Sequence, residues 1–323
     1  MKKIFFAITL FCCLALTATA QQLRVHQGTV TYVYPASLLE TMTYTDGGQT
    51  LTILGRSFAT AEIDSIKVTN VPSTFTPNSI NVDYAGNRAN VTVSGDIAAL
   101  VTVSVDGANV SVLADAALQE EVTYTLSGTS TNGSFFMDGE FKSTVVLNNL
   151  NLTSATGAAI DIENGKRIAV ELPEGTASTL ADAAGGTHKA CFFINGHAEF
   201  SGAGTLNLRG NTKHAYASDE YTQFKSSFGT FKVTSALSDG MHVEQYLQTD
   251  GGTFNISGVQ GDCIDVSATK DPLDEFNGQT FINAGTFVLN VAADDTKGIK
   301  SESDMAFNGG SITATVSGNG AKG

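Results

Sequence analysis

The 323-residue sequence has no Trp, only 4 Cys, and charged side chains at just 15% of the total. That charge content is low for a globular chain, but 42% hydrophobic residues supply a core, so composition excludes disorder. Basic residues are the scarcer sign, 18 against 32 acids, for a formal net charge of −14. So acidic a surface repels phosphates and anionic lipid, which removes nucleic acid as a partner. After the first twenty residues no apolar run approaches the roughly 18 needed to cross a bilayer, which predicts no membrane-spanning segment. The common enzyme signatures are missing too: no His-Glu-x-x-His, no Gly-x-Ser-x-Gly, no phosphate-binding Gly loop and no EF-hand spacing.

What is present begins with residues 1–20. Lys2 and Lys3, the apolar run Ile4 to Leu16 and then Ala18-Thr19-Ala20 have the form of a secretion signal, which predicts a secreted or cell-surface protein. Losing it takes the basic residues from 18 to 16 against 32 acids, a net of −16. It also removes Cys12 and Cys13, so only Cys191 and Cys263 remain and a disulfide scaffold is excluded.

The 33 Gly carry the main signal, an internal repeat. Gly-Thr/Ser-apolar-x-apolar recurs at Gly204, Gly229, Gly252, Gly285 and Gly310, in steps of 25, 23, 33 and 25. The long step holds an extra stretch within Ser267 to Gln279. A second landmark keeps pace: Ala190-Cys191, Ala215-Tyr216, Gly240-Met241, Cys263-Ile264 and Gly298-Ile299. Apolar residues alternate within each repeat, the period of strands, and nothing recurs at 3.6. The pattern predicts an all-β chain built as a parallel β-helix, a solenoid of stacked repeats.

Leu206, Phe231, Phe254, Phe287 and Ile312 then form one inward column, and Leu208, Val233, Ile256 and Leu289 the next. Asp250, Asn283 and Asn308 form a turn column whose side chains can bond local backbone. Cys191 and Cys263 fall three steps apart, roughly 14 Å at ~4.8 Å per step, too far for a disulfide. Before the repeats, 21–70 is expected as a short β-rich leader segment and 71–121 as a β cap, with the helix over 122–323. Lys322-Gly323 stands 25 residues after Lys297-Gly298, so the chain is expected to stop inside a repeat, either as a fragment or capped by something else.

The second landmark also places chemistry. The residues before it are His214, Asp239, Asp262, Lys297 and Lys322, and those two after it include His242, Asp265 and Lys300. Asp239 and Asp262 should stack ~4.8 Å apart with Asp265 just beyond, given a bend at Cys263. Three such carboxylates repel one another unless protons or a cation intervene. Ca²⁺ suits an oxygen-rich site in an exported protein; alternatively these Asp residues only satisfy turn backbone. His242 and Lys297 beside them are candidate substrate contacts. The extra stretch, with Asp271, Asp274, Glu275 and Phe276, is either a binding lip or a tolerated surface insertion. Lys300 beside a bound Ca²⁺ is placed to abstract the proton α to a uronate carboxylate, or is an ordinary exposed lysine.

Several segments resemble a bacterial carbohydrate-binding β-helix family over roughly 71–323. They are Thr123-Tyr124-Thr125-Leu126-Ser127-Gly128-Thr129, Leu147-Asn148-Asn149-Leu150, Gly175-Thr176 with Thr179-Leu180, and the Gly-Thr repeats. The leader segment is similar to those of exported Bacteroidetes proteins. The resemblance implies a right-handed parallel β-helix that binds Ca²⁺ and polysaccharide, cellulose or acidic pectic sugars, with a fold similar to family-nine pectate lyases. Asp262-Cys263-Ile264-Asp265 and Lys297-Gly298-Ile299-Lys300 resemble the lyase pattern, departing where Cys263 replaces a Gly and Lys297 an Asn. Three expectations follow: an exported polysaccharide-binding module with Ca²⁺ at Asp239, Asp262 and Asp265, a Ca²⁺-dependent uronate lyase using Lys300, or a structural adhesin. The absence of Trp weakens a flat stacking platform and leaves Tyr221 and Tyr246 as aromatic contacts.

Overall fold

The structure is a computed structural model and describes residues 20–39, 42–71 and 75–323. The secretion signal expected over 1–20 lies outside the described residues except for Ala20, where the first strand starts. Among the described residues the chain is all strand, apart from three single-turn 3₁₀ helices. None of its helices is long and apolar enough to cross a membrane.

Alternation in the sequence becomes alternation in burial. Along Thr205–Gly210, Leu206 and Leu208 are fully buried while Thr205 and Asn207 face outward. The columns form in the expected register, Leu206 opposite Phe231, Phe231 opposite Phe254, Phe254 opposite Phe287, and Phe287 opposite Ile312, but only the first four are buried and Ile312 is 40% exposed. The Phe254 and Phe287 rings stack at 4.5 Å and 8°, and Phe224 meets Phe254 edge-on at 4.8 Å. Burial of such rings is the chief stabilising contribution. The polar column also forms, but its bonds run between strands rather than to local backbone: Asn283 Nδ2 donates to Asp250 Oδ1 at 2.8 Å, and Asn308 Nδ2 to Asn283 Oδ1 at 2.8 Å. Cys191 and Cys263 are free and buried.

The strands assemble differently from the expected right-handed parallel β-helix. One sheet has 17 strands, and its parallel pairings close on themselves. Ser143–Thr153 pairs with both Arg167–Glu171 and Ala177–Ala181, and Tyr246–Ile256 pairs with both Thr222–Phe224 and Thr230–Ala236. His197–Ser201 and Thr205–Gly210 complete an eight-strand parallel barrel to which further strands attach. Of the N-terminal strands, Ala20–Gln27, Val30–Pro35, Ser65–Val71, Ser79–Ala85 and Arg88–Ser94 belong to this same sheet, while Met42–Thr45, Thr50–Ile53 and Arg56–Ala59 form a three-stranded antiparallel sheet of their own. Ala20–Gln27 and Val30–Pro35 pair antiparallel, and Val30–Pro35 joins Arg88–Ser94 in parallel. A repeat period fixes which residues share a column. It is silent on how neighbouring ladders join, and here two eleven-residue strands join them.

A second sheet has nine strands, running from the hairpin Val101–Asp106/Ala108–Ala114 to Ile299–Ser301. Its later members, Ala190–Ile194, His214–Ser218, Met241–Glu244, Ile264–Ser267 and Ile299–Ser301, pair in parallel. Their outward face carries the candidate site.

Candidate functional site

Parallel register sets His242 beside Asp265 and Asp265 beside Lys300 on three adjacent strands. Asp239 and Asp262 lie just before their strands. Positions three apart nevertheless meet on one side, with Asp239 Oδ2 3.7 Å from His242 Nδ1. A close approach makes it possible, since a Cβ on Gly261 would stand 2.2 Å from Asp239 Oδ1.

Each carboxylate spans two strands. Asp239 Oδ1 accepts the Asp262 backbone N–H at 2.7 Å, and Asp262 Oδ1 accepts that of Lys297 at 2.6 Å. Asp239 Oδ2 faces His214 Nδ1 at 3.0 Å. Asp265 pairs with His242 Nδ1 through Oδ2 at 2.9 Å and takes a hydrogen bond from Lys300 Nζ on Oδ1 at 2.8 Å. Asp262 Oδ2 faces the Lys300 ammonium at 3.9 Å. The His214 and His242 rings stack at 4.6 Å, and Nε2 of the buried His214 has no partner among the described residues.

The electrostatics follow. Burial disfavours a charged His242, yet Asp239 and Asp265 push its pKa up to about 9. Burial would raise Asp239, but hydrogen bonds from His214 and His242 hold it far below the usual carboxylate range. The same opposition, resolved by His242 and Lys300, lowers Asp265. Asp262 goes the other way: burial raises it most, the Lys297 N–H opposes the rise, and the neighbouring charges of Asp239 and Asp265 add to it. Burial lowers His214. The hydrogen bond to Asp265 raises Lys300, so in this arrangement it is a charged donor, not a base.

The donor set divides in two. Ligand atoms of His214, Asp239 and His242 lie within 4.8 Å of one another, and two imidazoles with one carboxylate suit a borderline ion better than Ca²⁺. Hard oxygen donors for Ca²⁺ are concentrated on Asp262 and Asp265, whose side-chain ion-pair partners among the described residues are His242 and Lys300.

Other expected contacts lie elsewhere. Lys297 offers its backbone N–H to Asp262 while its ammonium turns back to the Asp295 carbonyl. Tyr246 belongs to a ring ladder on the larger sheet. Tyr221 stacks on it at 4.9 Å, Phe276 meets it edge-on at 5.6 Å, and His197 stacks on Tyr221 at 4.5 Å. The faces of Tyr246 are thus occupied by protein rings. Asp271 accepts the Leu273 N–H at 2.9 Å and Asp274 takes the Thr269 hydroxyl, so both acids order their own loop. That loop reaches Gln245 through a bond to the Glu275 carbonyl, away from Asp265. Sequence reasoning did not select His214 as a site residue, although its place before the second landmark was the available signal.

Three comparisons bear on this geometry. The solved polysaccharide lyase-like protein from C. thermocellum, a gadolinium derivative, aligns with a TM-score of 0.60 at 19% identity, over 76% of this chain and 94% of that one. At that identity the likeness is one of fold. No curated protein matches the chain. Residues 106–322 match the profile of a family described as carbohydrate-binding domain-containing protein, a span that includes every residue of the acidic cluster. The chain belongs to this carbohydrate-binding domain family.

Proposed function

We propose that this is an exported protein, secreted or held at the cell surface, that binds polysaccharide on the outward face of the nine-stranded sheet. Ca²⁺ at Asp239, Asp262 and Asp265 would organise the site and bridge to acidic sugars, while cellulose-like chains are the neutral alternative. The observation that carries this reading is the gathering of three carboxylates on adjacent strands within a carbohydrate-binding domain. Asp262 supports it further, because burial, with Asp239 and Asp265 beside it, raises its pKa, a rise that a bound cation would offset. A cation there would take over the role Lys300 plays against Asp262 and Asp265. When bound, Ca²⁺ supplies charge neutralisation for clustered carboxylates.

The lyase alternative draws on the place of Lys300 beside those acids. Its raised pKa favours the binding reading, because a base must first lose its proton.

Calorimetric titration of the chelator-treated protein with Ca²⁺, and then with polygalacturonate and insoluble cellulose, tests the proposal. Saturable Ca²⁺ binding that Asp262→Ala weakens at least tenfold, together with glycan retention and no unsaturated product, is the expected result. Unchanged Ca²⁺ affinity and thermal stability in Asp262→Ala would remove the metal site. Absence of any glycan binding would remove the function.

A further inference from the structure

The acidic cluster is only one end of a longer outward column. Register sets Phe136 beside Asp161, Asp161 beside Phe193, Phe193 beside Ala217, and Ala217 beside His242. Asp161 therefore stands three strands from His242, roughly 14 Å at ~4.8 Å per strand. Around it the surface is hollowed. A pocket of ≈ 230 Å³ bounded by Asp161, Glu163, Lys189 and Phe193 shares Asp161 with a second of ≈ 190 Å³. The second reaches Phe136, which it shares with a third of ≈ 280 Å³. The three make one groove across successive strands, with Asp161 as the wall between two of them.

Asp161 is not satisfied by the protein. Its Oδ1 is buried and has no hydrogen-bond partner among the described residues. Burial and the nearby Glu163 push its pKa up to about 6, against His188 and Lys189. Both of those cations are engaged elsewhere, His188 with the buried Asp182 at 2.7 Å and Lys189 with Asp219. Asp161 and Glu163 thus leave the pocket with surplus negative character, which repels a carboxylate-bearing sugar and favours hydroxyl donors. Phe136 and Phe193, the latter capped by the Lys189 ammonium at 4.6 Å, give the groove apolar walls on either side of the acceptor. A buried acceptor between apolar walls is the composition of a site for a small polyhydroxylated unit.

We propose that the groove at Asp161 is a separate subsite for an uncharged sugar unit, whose hydroxyl donates to Asp161 Oδ1 while its ring rests against Phe136. This rests on the carbohydrate-binding reading and adds to it a location and a ligand class. No Ca²⁺ is required at this subsite, in contrast to the acidic cluster beyond Ala217.

Titration with a neutral β-linked hexose hexasaccharide and with an oligogalacturonide of equal length separates the possibilities. Asp161→Ala and Phe136→Ala are each expected to weaken the neutral ligand at least tenfold, and Asp161→Asn less than Asp161→Ala because an acceptor oxygen survives. Oligogalacturonide affinity in Ca²⁺ should stay within twofold in all three. Should one variant fail to fold, the other two still carry the test. Variants that melt like the unmodified protein and bind the neutral ligand within twofold of it would overturn the subsite and leave the carbohydrate reading standing. The subsite is equally overturned if the unmodified protein binds only the oligogalacturonide, or if Asp161→Ala abolishes binding of that acidic ligand. An unmodified protein that binds neither ligand would overturn the carbohydrate reading and the subsite with it.

Discussion

Replacing Asp239 by Asn and by Ala separates the two roles of its carboxylate. Asp239 is only 8% exposed, and its two oxygens serve different neighbours. Oδ1 holds the Asp262 N–H at 2.7 Å, and Oδ2 faces His214 at 3.0 Å and His242 at 3.7 Å. Asp239→Asn keeps an acceptor for the N–H and loses the charge. A hydrogen bond to a charged group contributes about 1.5–3 kcal/mol, and because Asp265 still partners His242 the expected cost is about 1–2 kcal/mol. Asp239→Ala also strands the Asp262 N–H, adding about 1–3 kcal/mol and bringing the total to about 2–5 kcal/mol.

Acidity supplies a second signature. His242 has its folded pKa raised to about 9 from 6.5, so the stability it contributes is complete below pH 6.5 and lost as pH rises through about 9. Asp239 is depressed, so its contribution is present above the ordinary carboxylate range and lost as pH falls below it. The Asn deficit should therefore be largest near pH 6 and shrink towards pH 9.5. Urea midpoints followed by circular dichroism at pH 6, 7.5 and 9.5 measure it. Equal deficits for Asn and Ala, or an Asn deficit that does not change with pH, would refute the assignment of roles.

Two further outcomes are expected. Lys300→Ala removes a half-exposed ammonium, so stability should change by less than about 1 kcal/mol. Ca²⁺ affinity should rise several-fold, as calorimetry can measure, because the competing cation is gone. Phe254→Ala opens a void among Phe224, Phe231 and Phe287 and should cost about 3–5 kcal/mol, seen as a lowered melting temperature, without affecting the glycan contacts proposed on the other sheet.

The columns were legible because a parallel pairing repeats the sequence period in space. Phe231, Phe254 and Phe287 had to meet once Gly229, Gly252 and Gly285 were matched. The same logic brought Asp239, Asp262, Asp265, His242 and Lys300 together. It did not reach Asp271 and Asp274, whose partners Leu273 and Thr269 lie within their own loop. Tyr246 does stand in the repeated register, one step from Tyr221, and for that reason the two rings stack. Asp161 looked like one more outward residue of the alternating stretch Ala159 to Ile162, and nothing in that stretch announces a pocket.

The sequence alone therefore determined the all-strand character, the inward and outward faces, the reduced cysteines and the clustering of acids. These depend on period, side-chain polarity and spacing, all local or repeating properties. Only the tertiary structure decided how the ladders join, because joining depends on which long strands bridge two of them. It closed an eight-strand barrel where a right-handed parallel β-helix was expected, and joined Ala20–Gln27 and Val30–Pro35 to that same sheet. It also decided that Lys300 donates to Asp265 and that Asp161 Oδ1 has no hydrogen-bond partner among the described residues. Those outcomes rest on distances between strands and on burial, which no spacing along the chain encodes.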